Sequence, residues 1–427
     1  MRHNIALLND SFPPQIDGVA NTVVNYAKII ERDLGHSMVI TPNFPEANDE
    51  GFPFPVVRYP SFDARNFIGY MAGVPFSPTV LKTMKQEQVE LLHCHCPAAA
   101  MLIARETRFK LKAPVVFTYH TKYDVDLLKA LKLKLLSSNV VKMMVSNISS
   151  CDEVWTVSHG AGENLKSLGF EGEYIVMPNG VDMPLGRLDD EFVEETVKDY
   201  DLPHDVPVFL FVGRMMWYKG IRLILDAVAG LKARGFDFRM VFIGDGADAT
   251  AIRAYTDSLQ LNDKVIFTGA LRDRQVLKAW YCRADLFLFP STYDTNGLVV
   301  REAAACSLAS ILVRGSCAAE DVTEDRNGFF MDETAESLEA KLAELCEHPE
   351  AMKAAGEKAA EELYISWDTA VRHAYDRYEV VLENFRAGKY PRRRHITDEI
   401  LRANGELMTV LSKMPLIDTV FGWFTGD

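Results

Sequence analysis

A chain of 427 residues has room for two or three domains, each able to bury its own core. Apolar residues at 48% and charged residues at 25%, with 26 Gly and 19 Pro, exclude disorder, collagen and low-complexity arrays. Lys and Arg total 46 against 60 Asp and Glu, and the net charge of -14 repels a nucleic-acid backbone, so no nucleic-acid partner is expected and any anion site must be local.

From the N-terminus, the apolar run Ile5 to Leu8 is too short for a secretory core, and no later run has the length of a bilayer span. The 7 cysteines, at 94, 96, 151, 282, 306, 317 and 346, lack paired CxxC spacing and fit free thiols in a reducing, cytoplasmic compartment. Short β-branched runs then alternate with amphipathic stretches, the pattern of a parallel sheet with helical crossovers. Strands are expected at Ile5 to Leu8, Ser37 to Thr41, Pro55 to Tyr59, Val89 to Cys94, Val115 to Tyr119, Glu153 to Val157 and Tyr174 to Met177, with helices such as Ala20 to Arg32 and Ala98 to Phe109 between them. Pro178 to Pro184, with its Asn179-Gly180 turn, begins a linker. A second series follows at Val208 to Val212, Arg239 to Ile243, Lys264 to Thr268, Asp285 to Phe289 and Ala309 to Val313. Ala335 to Arg386 reads as helix interrupted near His348-Pro349 and at Ile365 to Asp368, and the last forty residues read as a separate tail. The fold class is α/β, two doubly wound domains in tandem, and their strand ends and the cleft between them are the default site.

Three segments carry chemistry. In Phe289 to Ala303 a strand gives way to a loop bearing Asp294 and to a helix starting near Asn296-Gly297 and bearing Glu302. A helix N-terminus suits a phosphate, and Glu302 lies one to two turns further on. The bland alternative is an acid favouring the helix dipole and a solvated glutamate. In the second segment, Phe209 to Gly220, Arg214 and Lys219 follow a strand end and supply two cations for a diphosphate, or else are two solvated charges. In the third, Asn9 to Ala20, Gly18 allows a ligand close to the backbone. Gly244-Asp245-Gly246 follows a strand, but no acid ends the next one, which disfavours a nicotinamide dehydrogenase.

With these segments on the page, the chain resembles the retaining, nucleotide-sugar-dependent glycosyltransferases of family 4, which have the GT-B architecture. The resemblance spans residues 1 to about 385. It rests on Pro13-Pro14-Gln15-Ile16-Asp17-Gly18-Val19, Thr118 to Thr121, Thr156 to Ser158, Pro178 to Asp182, Gly213-Arg214 with Lys219-Gly220, Gly244 to Gly246, and the acid-x7-Glu segment ending at Glu302. The resemblance implies an N-terminal Rossmann-like, acceptor-binding domain over 1–185 and a C-terminal, nucleotide-sugar-binding one over 186–365. A crossover helix over 366–387 would return to the first domain, and a basic, aromatic tail would occupy 388–427. It implies transfer of a hexose, with glucose from UDP-glucose expected, without a metal or other cofactor. Catalytic roles are implied for His120, Asp294, Arg214 and Lys219, and donor contacts for Gly18, Arg214, Lys219, Asn296, Gly297, Leu298 and Glu302. Asp294 replaces the first glutamate of the family's pattern and is one methylene shorter.

His93-Cys94-His95-Cys96 invites a metal, but strand alternation leaves two ligands on each face and no second cluster completes a site. The implied acceptor is a membrane lipid such as diacylglycerol, with a soluble sugar or glycan, or GDP-mannose as donor, as the alternative; a non-catalytic nucleotide-sugar-binding protein is the third reading. Lys129, Lys132, Lys134 and Lys142 with Leu128, Leu131 and Leu135 fit either an interfacial amphipathic helix or a core-facing helix with a solvated face. Arg386, Lys389, Arg392, Arg393 and Arg394 precede an end rich in Phe421, Trp423 and Phe424, which suits either contact with the inner, anionic face of the cell membrane or packing back on the protein.

Overall fold

The computed structural model describes residues 2–15, 17–65, 70–122, 134–390 and 396–411. Lys129 and Lys132, Arg392 to Arg394 and the aromatic end at Phe421, Trp423 and Phe424 lie outside the described residues. The chain divides into two compact units, one of Met1–Asn179 with Trp367–Asp427 and one of Gly180–Ser366. The loop from Gly180 goes with the second unit, because Val181 bridges to Ser366 and the Gly186 N–H donates to the Ala305 carbonyl.

The first unit is built on seven strands: β1 (Asn4–Leu8), β2 (His36–Pro42), β3 (Val56–Tyr59), β6 (Leu91–Cys94), β7 (Val115–Tyr119), β8 (Glu153–Thr156) and β9 (Ile175–Val176), in the order β3-β2-β1-β6-β7-β8-β9. Every pairing in it is parallel. A separate antiparallel pair, β4 (Ser61–Asp63) with β5 (Met71–Gly73), is not foreseen from the sequence, since three residues are too few to show a period. The helices are α1 (Gly18–Ile29), α2 (Pro78–Gln86), α3 (Ala99–Leu111), α4 (Lys134–Ile148) and α5 (His159–Ser167). Asp17 caps α1, its carboxylate accepting from the Val19 and Ala20 N–H groups at 2.9 and 2.7 Å.

The second unit has six parallel strands, β10 (Val208–Val212), β11 (Arg239–Ile243), β12 (Val265–Gly269), β13 (Leu286–Phe289), β14 (Ser310–Val313) and β15 (Phe329–Met331), ordered β12-β11-β10-β13-β14-β15. β15, three residues long, is a further strand the sequence reading omits. Helices α6 (Asp190–Val197), α7 (Ile221–Ala233), α8 (Ala249–Ser258), α9 (Arg274–Arg283), α10 (Leu298–Ala305), α11 (Ala335–Glu347) and α12 (Pro349–Glu362) accompany the sheet. In each sheet the chain reverses direction of travel at one place, between β1 and β6 and between β10 and β13. Such switch points open a crevice at the carboxyl ends of the strands.

After the second unit the chain returns as α13 (Trp367–Arg386) and α14 (Ile396–Leu411), both part of the first unit. Trp367 meets Tyr26 of α1 edge to face at 6.3 Å, and Arg377 Nη2 donates to Glu153 Oε1 of β8 at 2.7 Å. α14 corrects the expectation of a separate tail. It packs on α3 and α2, burying Leu401, and Asn404 Nδ2 donates to Glu106 Oε1 of α3 at 3.3 Å.

Candidate active site

In the second unit, the crevice beside β10 and β13 is made by two loops. The first runs from Gly213 to Gly220. It needs glycine at three places for packing against its neighbours: a Cβ on Gly244 would lie 1.9 Å from the Gly213 carbonyl, one on Gly246 2.6 Å from the Met215 carbonyl, and one on Gly220 2.4 Å from the Pro290 carbonyl. Gly244-Asp245-Gly246 therefore supports the loop after β10, with Met215 N–H donating to the Asp245 carbonyl at 3.0 Å. Gly220, at φ +77°, brings a turn of 3-10 helix, Trp217–Lys219, against the end of β13.

That approach places Lys219 Nζ 2.6 Å from Asp294 Oδ1. Lys219 is 7% exposed, so it is not the solvated surface charge of the bland alternative. Asp294 Oδ2 accepts from Ser291 Oγ at 2.5 Å, so both carboxylate oxygens are engaged and the ammonium is fixed in place. An ammonium has three donors, and Asp294 takes one of them. Arg214 is exposed; its guanidinium carbon lies 5.9 Å from the centre of the Tyr218 ring, and Lys219 Nζ lies 5.5 Å from the same ring. Tyr218 in turn meets Tyr293 at 4.8 Å. Both cations lie within cation–π reach of the one Tyr218 ring, which attracts each of them. Neither Tyr218, Tyr293 nor Ser291 was picked out from the sequence, although all three lie inside the two segments that were.

The second loop, Ser291 to Gly297, leads into α10. Gly297 sits at φ +59° against Ala318, where a Cβ would come within 2.7 Å of that side chain, and no side chain caps the helix. Asn296 Nδ2 is buried without a hydrogen-bond partner. A buried amide donor without an acceptor is costly in a finished protein and suits a site completed by a ligand. Leu298 is the first residue of α10 and is half-buried. Glu302, one turn on, is held by α9: Arg274 Nη2 donates to Oε1 at 2.8 Å and the Tyr281 hydroxyl to Oε2 at 3.1 Å. Burial and the neighbouring Glu302 push the Tyr281 hydroxyl well above the usual tyrosine range, so it stays a proton donor. Glu302 is thus neither solvated nor a mere helix-dipole acid. Arg274 and Tyr281 share one face of α9, a spacing visible in the sequence, but their partner on α10 was not.

In the first unit, the carboxyl ends of β6 and β7 bring His95 and His120 together, His95 Nδ1 2.9 Å from His120 Nε2 with the rings stacked at 5.2 Å. His93 lies on the same face as His95, its ring 4.1 Å away, and contacts the Tyr378 hydroxyl at 2.6 Å and Thr118 Oγ1 at 2.7 Å. Burial lowers the pKa of all three imidazoles, that of His120 to about 3, so they are neutral at physiological pH. His95 Nε2 has no hydrogen-bond partner. Asp10, after β1, accepts from the Tyr59 hydroxyl at 2.5 Å and the Ala100 N–H at 2.9 Å while Oδ2 is buried without a partner, and burial raises its pKa. Gly18 is exposed, has no positive φ, and has open space where a Cβ would stand, so nothing in the fold requires glycine there. Among the described residues no group of three or more His, Cys, Asp or Glu is arranged to hold a metal, and His93 to Cys96 form none.

Comparison with known proteins agrees with this division. A family model described as Glycosyltransferase Family 4 matches residues 16–184, and one described as Glycosyl transferases group 1 matches residues 192–362. The chain is 25% identical over 305 residues to an alpha-monoglucosyldiacylglycerol synthase of Streptococcus pneumoniae, covering 70% of this chain and 69% of that one. It is 26% identical over 359 residues to the protein of the same name in Acholeplasma laidlawii, covering 81% and 89%. A GDP-mannose-dependent alpha-mannosyltransferase of Corynebacterium glutamicum is 25% identical over 336 residues, covering 77% and 76%. Among solved structures, Anabaena Alr3699/HepE in complex with UDP superposes with a TM-score of 0.70 at 17% identity, covering 89% of this chain and 100% of that one, which establishes the shared fold.

Proposed function

This chain belongs to family 4 of the GT-B glycosyltransferases, and from that premise we propose that it moves glucose from UDP-glucose to a membrane lipid such as diacylglycerol, with retention at the anomeric carbon. The observation that carries the lipid acceptor is the match to two alpha-monoglucosyldiacylglycerol synthases over 70% and 81% of the chain. The exposed Ile400, Leu407 and Val410 on α14 support a surface that meets lipid.

On this reading the second unit binds the donor. Arg214, the two remaining donors of Lys219, Asn296 Nδ2 and the N-terminus of α10 from Gly297 to Leu298 meet the diphosphate, whose charge grows as the sugar departs. Glu302, with lone pairs left on both oxygens, accepts from the ribose hydroxyls. Asp294 holds Lys219 in place and faces the donor sugar. The first unit takes the acceptor, with His120 acting in transfer. These cations suffice to neutralise a diphosphate, so no metal or other cofactor is assigned a role.

GDP-mannose as donor is the second reading, favoured by the match to the mannosyltransferase over 77% of the chain. A panel of UDP and GDP sugars, with released nucleotide measured against diacylglycerol vesicles and against soluble sugars, with and without EDTA, decides between them. Glucolipid formed from UDP-glucose alone, undiminished by EDTA, is the expected outcome. Turnover only with GDP-mannose, or only with soluble acceptors, overturns the first reading.

A further inference from the structure

The histidine pair at the strand ends of the first unit is set by the sheet itself. β6 and β7 are parallel partners, with His93 opposite Val116 and Cys94 opposite Phe117. The His93 ring meets Thr118, and two residues on, at the same spacing of 25 positions, the His95 ring meets His120. Side chains two apart along a strand share a face, so the sheet repeats one diagonal contact, and its second instance is the imidazole pair. The His95 backbone is tied to β1, its N–H donating to the Leu8 carbonyl at 2.9 Å. Its ring contacts His93 at 4.1 Å, His120 at 5.2 Å and, edge to face, Tyr26 at 5.6 Å.

His93 and His95 use their nitrogens differently. His93 has a hydroxyl at each, Tyr378 at Nδ1 and Thr118 at Nε2, as a buried histidine with a purely structural task does. His95, 0% exposed, has His120 Nε2 at 2.9 Å from Nδ1 and no partner at Nε2. A buried ring nitrogen without a partner destabilises a fold, so the Nδ1 bond is what histidine contributes at this position. Burial lowers the pKa of both rings and keeps them neutral. Two neutral imidazoles joined nitrogen to nitrogen share a single hydrogen. If His95 Nδ1 carries it, His120 Nε2 is bare and His120 Nδ1 is a donor; if His120 Nε2 carries it, His120 Nδ1 is an acceptor. The tautomer of His95 thus sets that of His120, and the two rings carry hydrogen on the same-named nitrogen.

We propose that His95 is a positioning residue for transfer: its bond from Nδ1 to His120 Nε2 fixes the His120 ring and its tautomer, so that His120 meets substrate through Nδ1 with one defined hydrogen-bonding character. The proposal rests on the assignment of His120 to transfer and goes beyond it by naming the residue that orients it. His95 itself, fully buried, touches no substrate. The alternation that places His93 and His95 on one strand face serves no metal; it gives one histidine to the packing of Tyr378 and Thr118 and the other to His120.

The test has a spectroscopic and a kinetic arm. In the full chain carrying isotopically labelled histidine, long-range proton–nitrogen correlation reads which ring nitrogen of each imidazole bears hydrogen, and signals lost in His95→Asn and His120→Ala assign the two rings. One tautomer in each ring, Nδ1–H in both or Nε2–H in both, is the expected result. Opposite tautomers, a His120 ring averaged between tautomers, or a cationic ring at neutral pH overturns the proposal. In the kinetic arm, turnover of UDP-glucose with diacylglycerol vesicles should fall by about 10- to 100-fold in His95→Ala, with KM for UDP-glucose little changed. His95→Asn, whose amide lies where Nδ1 does, should restore most of it, whereas His95→Gln, whose amide lies where Nε2 does, should not. A packing role alone gives the reverse order, because Gln fills more of the ring's volume than Asn. Equal turnover in the Asn and Gln variants, or unaltered turnover in His95→Ala, overturns the proposal. Absence of turnover in the unmodified chain counts against the donor or acceptor reading instead, and the spectra then decide alone. Where a variant does not fold, nuclear Overhauser contacts between the two rings assign them in the unmodified chain.

Discussion

Lys219 and Asp294, seventy-five positions apart in sequence, are held at 2.6 Å because Gly220 lies flat against Pro290 at the end of β13. The ion pair joins the loop after β10 to the loop after β13, across the switch point of the second sheet. It also gives Asp294 a task that a sequence pattern does not express, which is to aim a cation.

Arg214 and Lys219 are expected to differ in what their loss does. Arg214→Ala should leave thermal stability unchanged, since the side chain is exposed, and lower turnover by a factor of about 100 to 1000. Lys219→Ala should lower turnover similarly and also the melting temperature, because Asp294 loses its counter-charge in a largely closed place. Restored stability without restored turnover in Lys219→Ala with Asp294→Ala would confirm the pairing; near-normal turnover in either single variant would remove that residue from the diphosphate site.

The two acids are expected to separate by role. Glu302→Gln should weaken binding of free UDP in calorimetry, by breaking the ion pair with Arg274 and the acceptor set offered to ribose. Asp294→Asn should bind UDP but transfer sugar slowly. Equal loss of UDP affinity in both variants would show that the division between ribose and sugar is wrong.

His120→Ala should retain UDP affinity, since its neighbours His95 and His93 belong to the other compact unit, and lose turnover. With its pKa lowered to about 3 by burial, His120 is neutral from pH 5 to 8. The turnover profile should therefore show no step from this residue in that range. An acid limb near pH 6.5 that disappears in His120→Ala would contradict the buried, neutral assignment.

Glu106 on α3 lies under α14, with Oε1 accepting from Asn404 at 3.3 Å and Oε2 buried without a partner. Burial raises its pKa from 4.5 to about 7. A carboxyl raised in the folded state holds a proton that the unfolded chain has released, so its contribution is present below about pH 4.5 and lost as pH rises to about 7. Glu106→Gln should raise the melting temperature at pH 8 by on the order of 2–4 °C and leave it unchanged at pH 4.5. The same gain at both pH values would point to packing rather than titration.

Vesicle binding tests the lipid reading separately from turnover. Co-sedimentation should increase with anionic lipid, weaken with salt, and fall when Lys129, Lys132 and Lys134 or Arg392, Arg393 and Arg394 are neutralised, since each basic residue near an anionic surface contributes on the order of 1 kcal/mol. Replacing Ile400, Leu407 and Val410 by serine should weaken it further. No binding at low salt would favour a soluble acceptor.

The parallel strands of both sheets were legible because each buried strand, such as Val115–Tyr119 or Val208–Val212, is a short apolar run closed by a turn, a signal contained in a few neighbouring residues. The helix breaks at His348-Pro349 and Ser366 were legible for the same reason, and the positions of Arg214, Lys219, Asp294 and Glu302 at strand and helix ends followed from them. Strands of three residues, β4, β5 and β15, carry too short a pattern to stand out, and long-range pairing alone defines them. Pairing is also what decided the chemistry of the charged groups. Asp294 turned toward Lys219, Arg274 and Tyr281 toward Glu302, and Arg187 toward two cysteines about 100 positions away, because helices and loops remote in sequence converge where parallel strands end. Local propensity and hydrophobic period write the elements into the sequence, but whether a charged side chain is solvated or paired depends on the groups that packing brings beside it, and these are not its neighbours in the chain.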